Sequence, residues 1–115
     1  MEADCLFCRV VAGEIPAEKV LETELSLVFE DIRPVAPRHV LIVPKDHVAS
    51  MSDLDTSRPE MAAIWNDLAS VARRLGAGFP NGWRLVTNIG DEGGQSVQHL
   101  HLHFLAGRQF TWPPG

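Results

Sequence analysis

The sequence predicts an α+β fold in which an antiparallel sheet carries one long helix on one face. Three observations predict this class. Several short apolar runs have strand character and are joined by short turns, one stretch has helical periodicity over many residues, and the C-terminal part alternates strictly between histidine and apolar residues. We expect the 115 residues to form one domain, 1–115, because this length supports a single modest core.

The first part of the chain predicts one short helix and three strands. Residues 5–12, with the sequence CLFCRVVA, predict a short helix that Gly13 closes. Three short extended runs follow, and each has the composition of a strand. They lie around Lys19–Leu21, at Leu25–Glu30 and at His39–Val43, the last of which ends at Pro44.

Residues 57–75 give the clearest helical signal. Ser57 and Glu60 form a capping-box pattern, with Pro59 in the predicted first turn and Gly76 directly after the predicted end. Apolar residues recur at helical spacing along this segment, which predicts a stripe that packs on the core and has no cofactor role. They are Met61, Ile64, Trp65, Leu68, Val71 and Leu75.

A hairpin is predicted after this helix. Residues Trp83–Ile89 have strand character and follow the turn-rich segment GAGFPNG. The loop Gly90–Gln95 then leads back into the histidine-containing segment His99–Leu105. We therefore expect the two segments to be antiparallel neighbours.

Histidines occupy alternate positions at His99, His101 and His103. On a β-strand this spacing places the three imidazoles on one face and the intervening apolar side chains on the other, whereas a helix would turn His101 away from its neighbours. The unperturbed pKa of histidine lies nearest neutrality, so three of them exposed on one strand face suggest proton transfer, nucleophilic attack or metal ligation. The alternative is a solvated row of histidines, which the Gly-rich loop leading into the strand disfavours.

Charge and hydropathy argue against several classes of protein. The net charge of −5 disfavours a surface that binds nucleic acid, which needs clustered Lys and Arg, but leaves a small anionic ligand open. The N-terminal MEADCLFC lacks the basic start and apolar run of a signal peptide, and no stretch is long enough to span a bilayer. We expect a cytoplasmic protein with no nucleic-acid partner and no membrane partner.

A Gly-rich loop, Gly90–Ser96, directly precedes the histidines. Its glycines let backbone N–H groups approach an anion, and the hydroxyl of Ser96 could contact the same oxygen. Taken alone, the loop slightly favours a plain hairpin turn. Joined to the histidine strand it predicts a phosphate site, from which we expect Asp91 and Glu92 to point away because they would repel the ligand.

Cys5 and Cys8 have the spacing of a zinc knuckle. The three histidines cannot all reach one tetrahedral zinc, because Cα atoms two apart on a strand are about 6.6 Å apart whereas Zn–N bonds are about 2.0 to 2.1 Å long. A Cys₂His₂ site could instead combine both cysteines with His39 or His47 and with one end of the histidine row. The alternatives are two core thiols without a metal or a redox pair, and a redox pair is disfavoured because no strand precedes Cys5.

The segment His99–Leu105 resembles the His-φ-His-φ-His-φ-φ signature, in which φ is hydrophobic, of the histidine-triad (HIT) superfamily. The surrounding GGQSVQHLHLHFLAGRQFTWPPG is similar to the Hint branch, whose chains end in such a Trp-Pro-Pro-Gly tail. The resemblance covers nearly the whole chain and implies the HIT fold, with a five-stranded antiparallel sheet, one long helix and one short helix. It also implies a homodimer whose sheet continues across the two-fold axis, with the C-terminal tail reaching toward the partner's active site. The other matching segments are Ile15–Ala17, Phe29–Ile32, Pro37–Pro44 and Asn88.

This resemblance implies hydrolysis of purine nucleoside 5′-phosphoramidates, or of acyl and aminoacyl nucleotides, to AMP or GMP through a covalent nucleotidyl-histidine. His101 is the implied nucleophile, held through its other nitrogen by a backbone carbonyl. His103 would orient the phosphoryl group, and Ser96 would contact it and relay a proton to the leaving group. The other implied nucleotide-binding residues are Gly94 and Gln95 at the phosphate, Asn88 beside the ribose and phosphate, Asp31 at the ribose hydroxyls, Leu6, Phe7, Val10, Phe29 and Ile32 around the base, and Trp112 in the tail.

The two cysteines depart from the animal Hint pattern and are similar to bacterial HIT proteins and to the uridylyltransferase branch. That similarity implies a zinc ion bound by Cys5, Cys8, His47 and His99. Four protein ligands would close the site, so we expect a structural zinc and no cofactor in the chemistry. Two other functions stay open: a dinucleoside polyphosphate hydrolase or nucleotidyl transferase, and a nucleotide-binding interaction protein.

Overall fold

A computed structural model describes residues 3–115, so the first two residues of the segment inspected for a signal peptide lie outside it. The chain forms a five-stranded sheet in the order β1-β2-β3-β5-β4, and every neighbouring pair is antiparallel. This confirms the α+β prediction with one short and one long helix. In chain order the elements are α1 (Leu6–Val11), β1 (Lys19–Glu22), β2 (Ser26–Glu30), β3 (Arg38–Pro44), a 3₁₀ turn (Met51–Asp53), α2 (Pro59–Gly76), β4 (Trp83–Val86) and β5 (Leu102–Ala106).

The two faces of the sheet carry separate apolar clusters. Val40 and Ile42 of β3 belong to the cluster that packs against α2, whereas Leu41 and Val43 belong to the cluster around α1. Successive side chains of a strand point to opposite faces, so one strand supplies both clusters. The predicted stripe of α2 faces the core, with Ile64, Leu68 and Val71 buried and Met61, Trp65 and Leu75 partly buried.

The start of α2 differs from the predicted capping box. Arg58 is the N-cap residue and makes no side-chain capping bond. The hydroxyl of Ser57 donates instead to Asp55 Oδ1 at 2.6 Å, and Glu60 pairs with Arg58 at 2.6 Å. Pro59 does occupy the first turn, where its missing N–H costs no hydrogen bond.

The sequence predicted that Gly76 directly follows the end of α2, but Gly76 is the last residue of the helix. A Cβ atom at this position would lie 2.3 Å from Nε1 of Trp83. The indole of Trp83 in turn stacks on Phe104 at 5.2 Å between ring centroids. The absence of a side chain at Gly76 therefore lets β4 pack closely against the end of the helix.

The hairpin of β4 and β5 is present, but both strands are shorter than predicted. Strand β4 ends at Val86, opposite His103, and β5 begins only at Leu102. The hydroxyl of Thr87 donates to the carbonyl of His101 at 2.9 Å, at the point where the ladder ends. The first two histidines therefore precede the strand. Among residues 3–115, no helix combines the length and the apolar character that crossing a bilayer requires.

Candidate functional site

The three histidines share one side of the chain, as the alternation predicted. Leu100 and Leu102 point into the α2-side cluster, while the imidazoles lie on the α1 side. The first two rings are not exposed, however, because Phe7 of α1 packs against them, and His103 is half-buried. His99 and His101 are 0% and 5% exposed, and the ring of Phe7 meets them edge to face at centroid distances of 6.0 and 5.1 Å.

A cavity of about 480 Å³ opens beside these histidines. His101 and His103 form part of its wall together with Ser96 and Asp31, and Glu18 and Glu30 add two further polar side chains. The remaining wall is mostly apolar, a composition typical of sites for small molecules. The apolar residues predicted to surround a base all line it: Leu6, Phe7, Val10, Phe29 and Ile32.

His101 is held in one tautomer by the backbone. Its Nδ1–H donates to the carbonyl of His99 at 2.7 Å. A neutral imidazole carries one hydrogen, so Nε2 keeps its lone pair. The acceptor is the backbone carbonyl that the sequence-based interpretation required, and the unprotonated nitrogen belongs to a residue of the cavity wall.

His103 lies in a second chain of polar contacts. Its Nδ1 is 2.9 Å from Nε2 of His39, and the same Nε2 is 3.3 Å from Oδ2 of Asp31. Burial is the main cause that lowers the pKa of His103, and the nearby rings of His101 and His39 lower it further, while Asp31 opposes the shift. His103 is therefore neutral at pH 7.

His39 is a functional candidate that the sequence suggested only as one possible zinc ligand. It is 5% exposed and lies behind the cavity wall, where it contacts two wall residues. The sequence held one signal for this role. His39 lies two residues before Leu41, so the two side chains point to the same face of β3. That signal becomes informative only when β3 is known to neighbour β5.

The backbone N–H groups of Gly94 and Gln95 bond within the Gly-rich turn. Gly90 and Gly94 have φ values of 72° and 81°, so both use the left-handed region that favours glycine. The N–H of Gly94 donates to Asp91 and that of Gln95 to Gly90, both at 3.0 Å. The predicted contact of these two N–H groups with an oxyanion stays a prediction. Ser96 follows the turn and does line the cavity.

Two further predicted nucleotide-binding residues lie outside the cavity of their own chain, as Gly94 and Gln95 do. Asn88 is half-buried beyond the end of β4 and is not among the lining residues. Trp112 is 81% exposed in the C-terminal tail. Its predicted role involves a second subunit and stays a prediction.

Cys5, Cys8, His47 and His99 meet at the N-terminal end of α1. The contacts of Cys5 Sγ and Cys8 Sγ with His99 Nδ1 are 3.3 and 3.5 Å, and Cys8 Sγ is 3.4 Å from His47 Nδ1. Tetrahedral zinc with bonds of about 2.0 to 2.3 Å separates neighbouring ligand atoms by roughly 3.3 to 3.8 Å. Two sulfurs and two imidazole nitrogens at these distances fit a structural zinc ion.

The ring of His99 is oriented for such a site. Its Nε2–H donates to the carbonyl of Pro44 at 2.8 Å, which leaves the lone pair of Nδ1 toward the sulfurs. Burial lowers the pKa of His99, with smaller contributions from His47 and His101, and the bond to Pro44 opposes them. The neutral ring is the form that binds a metal.

Comparisons with known proteins agree with this geometry. The model of the HIT domain family matches residues 12–110. A HIT family hydrolase from Legionella pneumophila Philadelphia 1 superposes with a TM-score of 0.88 at 46% identity, over 97% of this chain and 100% of that one. A histidine triad nucleotide-binding protein from Candida albicans superposes with a TM-score of 0.78 at 28% identity, over 97% and 85% of the two chains. An uncharacterised HIT-like protein of Synechocystis is 44% identical over the full length of both chains. Because the family model matches most of its length and relatives of this family are more than 40% identical to it, the chain belongs to the HIT family.

Proposed function

We propose that this HIT-family protein hydrolyses purine nucleoside 5′-phosphoramidates, or acyl and aminoacyl nucleotides, to AMP or GMP, and that it belongs to the Hint branch. One observation carries the proposal. His101 is held by the carbonyl of His99 with Nε2 unprotonated, beside a mostly apolar cavity that also presents His103, Ser96 and Asp31. A fixed neutral imidazole is a competent nucleophile near pH 7.

The proposed reaction has two steps. Nε2 of His101 attacks the α-phosphorus, the bond from phosphorus to the leaving nitrogen breaks, and the leaving amine takes up a proton. Water then attacks the phosphorus of the nucleotidyl-histidine and loses a proton, and AMP departs as His101 returns to its neutral form. His103 and Ser96 line the cavity beside the nucleophile. His103 is proposed to donate a hydrogen bond to the phosphoryl oxygens, and Ser96 is proposed to relay a proton from solvent to the leaving amine.

The cavity wall divides into parts that suit a nucleoside. Phe29 and Ile32 flank Asp31, so a base against the apolar side chains would place its ribose near the carboxylate. A carboxylate that accepts hydrogen bonds from two adjacent hydroxyls distinguishes a ribose from a purely apolar ligand. Purine nucleotides are therefore the proposed ligands.

We propose that zinc binds to Cys5, Cys8, His47 and His99 and stabilises the fold. With four protein ligands it would supply no reactive position, so the chemistry is assigned to the chain's own residues. The ion would tie the N-terminus of α1 to the segment that carries His101. The cytoplasmic location expected from the sequence stays a prediction.

A homodimer is proposed through the edge of the sheet at β4. This strand pairs with β5 on one side only, and Trp83 and Leu85 are each 39% exposed along it. A strand whose outer edge is unpaired and that carries exposed apolar side chains favours pairing with another chain. Sedimentation of the protein as a monomer at micromolar concentration would contradict this part of the proposal.

The function is tested with two substrates and one variant. The protein is incubated separately with an AMP phosphoramidate and a diadenosine polyphosphate, and each rate is compared with that of His101→Ala. The proposal is supported if the protein turns over the phosphoramidate and His101→Ala does not. Preferential turnover of the diadenosine compound would assign a polyphosphate hydrolase or nucleotidyl transferase, and saturable AMP binding without turnover of either would assign a nucleotide-binding interaction protein.

A further inference from the structure

His39 has a defined protonation pattern that follows from its neighbours. The backbone N–H of Val35 donates to Nδ1 of His39 at 3.1 Å. A nitrogen that accepts a hydrogen bond carries a lone pair, so the hydrogen of the neutral ring is on Nε2. A protonated His39 would direct a second N–H against that of Val35. Its 3.3 Å contact with Asp31 is thus a contact of a neutral ring and not an ion pair.

This pattern determines the tautomer of the neighbouring ring. The Nε2–H of His39 is 2.9 Å from Nδ1 of His103, closer than its distance to Asp31. Nδ1 of His103 therefore accepts this hydrogen bond, and the hydrogen of His103 is placed on its own Nε2. The other ring nitrogen is left for the cavity, which His103 lines.

The two histidines of the cavity wall are consequently opposite in character. His101 keeps a lone pair on Nε2 because the carbonyl of His99 takes its Nδ1–H. His103 carries a hydrogen on Nε2 because His39 occupies its Nδ1. Identical side chains two residues apart thus become one nucleophile and one hydrogen-bond donor.

We propose that His39 is a positioning residue that fixes His103 in the Nε2–H tautomer, so that His103 acts as a donor toward the phosphoryl group or the leaving group. The catalytic part of this inference rests on the proposed function, but the tautomer itself does not. His39 does not line the cavity and therefore acts only through His103. His39 also contacts Asp31, so its ring links His103 to the carboxylate assigned to the ribose.

The tautomer is read directly by NMR of the full-length, ligand-free protein. In a neutral imidazole the protonated and unprotonated nitrogens have well-separated ¹⁵N shifts. We expect the protonated nitrogen of His103 to be Nε2 and that of His101 to be Nδ1. A hydrogen on Nδ1 of His103 in the wild-type protein would overturn the inference without any variant.

Two substitutions of His39 separate positioning from a merely structural role. His39→Leu removes the donor, whereas the side-chain amide of His39→Gln can still donate toward His103. With an AMP phosphoramidate we expect His39→Leu to lower kcat about 10- to 100-fold with little change in KM, and to shift the ¹⁵N signals of His103 toward a mixture of tautomers. His39→Gln should restore the tautomer and most of kcat. Equal losses in both variants with unchanged ¹⁵N signals would overturn the inference.

A matched control and the wild-type spectrum distinguish a failure of the tautomer inference from a failure of the proposed function. Ile42→Val truncates a buried residue of the same strand on the opposite face, and it should leave the His103 signals and kcat unchanged. If the wild-type protein shows no turnover, the proposed function fails while the ¹⁵N signals still decide the tautomer. If His39→Leu does not fold, the wild-type spectrum and His39→Gln decide the inference.

Discussion

The backbone carbonyl of His99 accepts a hydrogen bond from Nδ1 of His101 at 2.7 Å, while the side chain of His99 faces the two cysteines. One residue therefore joins the candidate metal centre to the candidate nucleophile. A displacement of the His99 side chain would be transmitted through its own backbone to the group that orients His101. The metal centre and the cavity are therefore coupled through His99.

We predict that metal loss weakens both stability and catalysis. Protein purified without added zinc should contain about one zinc per chain by elemental analysis. Cys8→Ser should lose the metal, lower Tm by roughly 5 °C or more and reduce kcat, because loss of the ion removes the link between the N-terminus of α1 and His99. Val11→Ala, a partly buried position on the same cluster, is the control that should retain zinc. Wild-type protein with far less than one equivalent would contradict the prediction.

We predict that His103 titrates below its usual range. Burial, followed by His101 and His39, lowers its pKa in the folded state, whereas the unfolded chain has an ordinary value of about 6.5. Between these two values the unfolded state binds more protons, so stability rises with pH there. The contribution is fully present above about pH 6.5 and is lost as the pH falls through the folded pKa.

NMR titration of the His103 ring measures this shift. Its midpoint should lie below 6.5 in the free protein and rise when AMP is added, because a phosphate anion stabilises the charged ring. The increase in urea unfolding free energy from pH 5 to pH 7.5 should become smaller in His103→Asn. A midpoint at or above 6.5 in the free protein would show that burial does not dominate.

We predict that Gly76→Ala destabilises the fold by about 1 to 3 kcal/mol, because the added methyl group would overlap the indole of Trp83. Gly78→Ala is a close control, since a Cβ there would meet only the carbonyl of Leu75 at 3.6 Å. Thermal or urea unfolding of both variants measures the difference. Equal stability of the two would mean that the indole moves aside at little cost.

We predict that Ile32→Ala weakens nucleotide binding without affecting stability. Ile32 is 92% exposed in the free protein although it lines the cavity, so its apolar surface is available to a base. We expect the Kd for AMP to rise about 3- to 10-fold with an unchanged Tm. Ile89→Ala, which truncates an exposed isoleucine outside the cavity, should leave the Kd unchanged. Similar Kd values for Ile32→Ala and wild type would place the base elsewhere.

Local patterns predicted the elements that depend on local physics. The period of α2 and the alternation of His99–Phe104 were visible because burial of one face imposes a spacing on the sequence. The start of α2 was predicted wrongly, because the helix begins one residue later, with Arg58 as its N-cap residue, while the hydroxyl of Ser57 donates to Asp55. Spacing cannot show whether a hydroxyl will cap a helix or bind a neighbouring side chain.

Contacts between distant segments were beyond local patterns. The residues alone left His39 and His47 as equal zinc candidates, and only the fold places His47 at Cys8 and His39 at His103. Likewise, Asp67 of α2 accepts a hydrogen bond from Thr23 at 2.6 Å, a link across 44 positions that no motif announced. Such pairings depend on strand order, which a single sequence specifies only through the complete fold.

The alternation in His99–Phe104 has a consequence for how the chain tolerates insertions and deletions. Inserting or deleting one residue within this stretch would rotate every following side chain to the opposite face. Leucines would then occupy the cavity wall, and imidazoles would enter the apolar layer beneath α2. We therefore expect a one-residue insertion or deletion in this stretch to damage the fold and the site together.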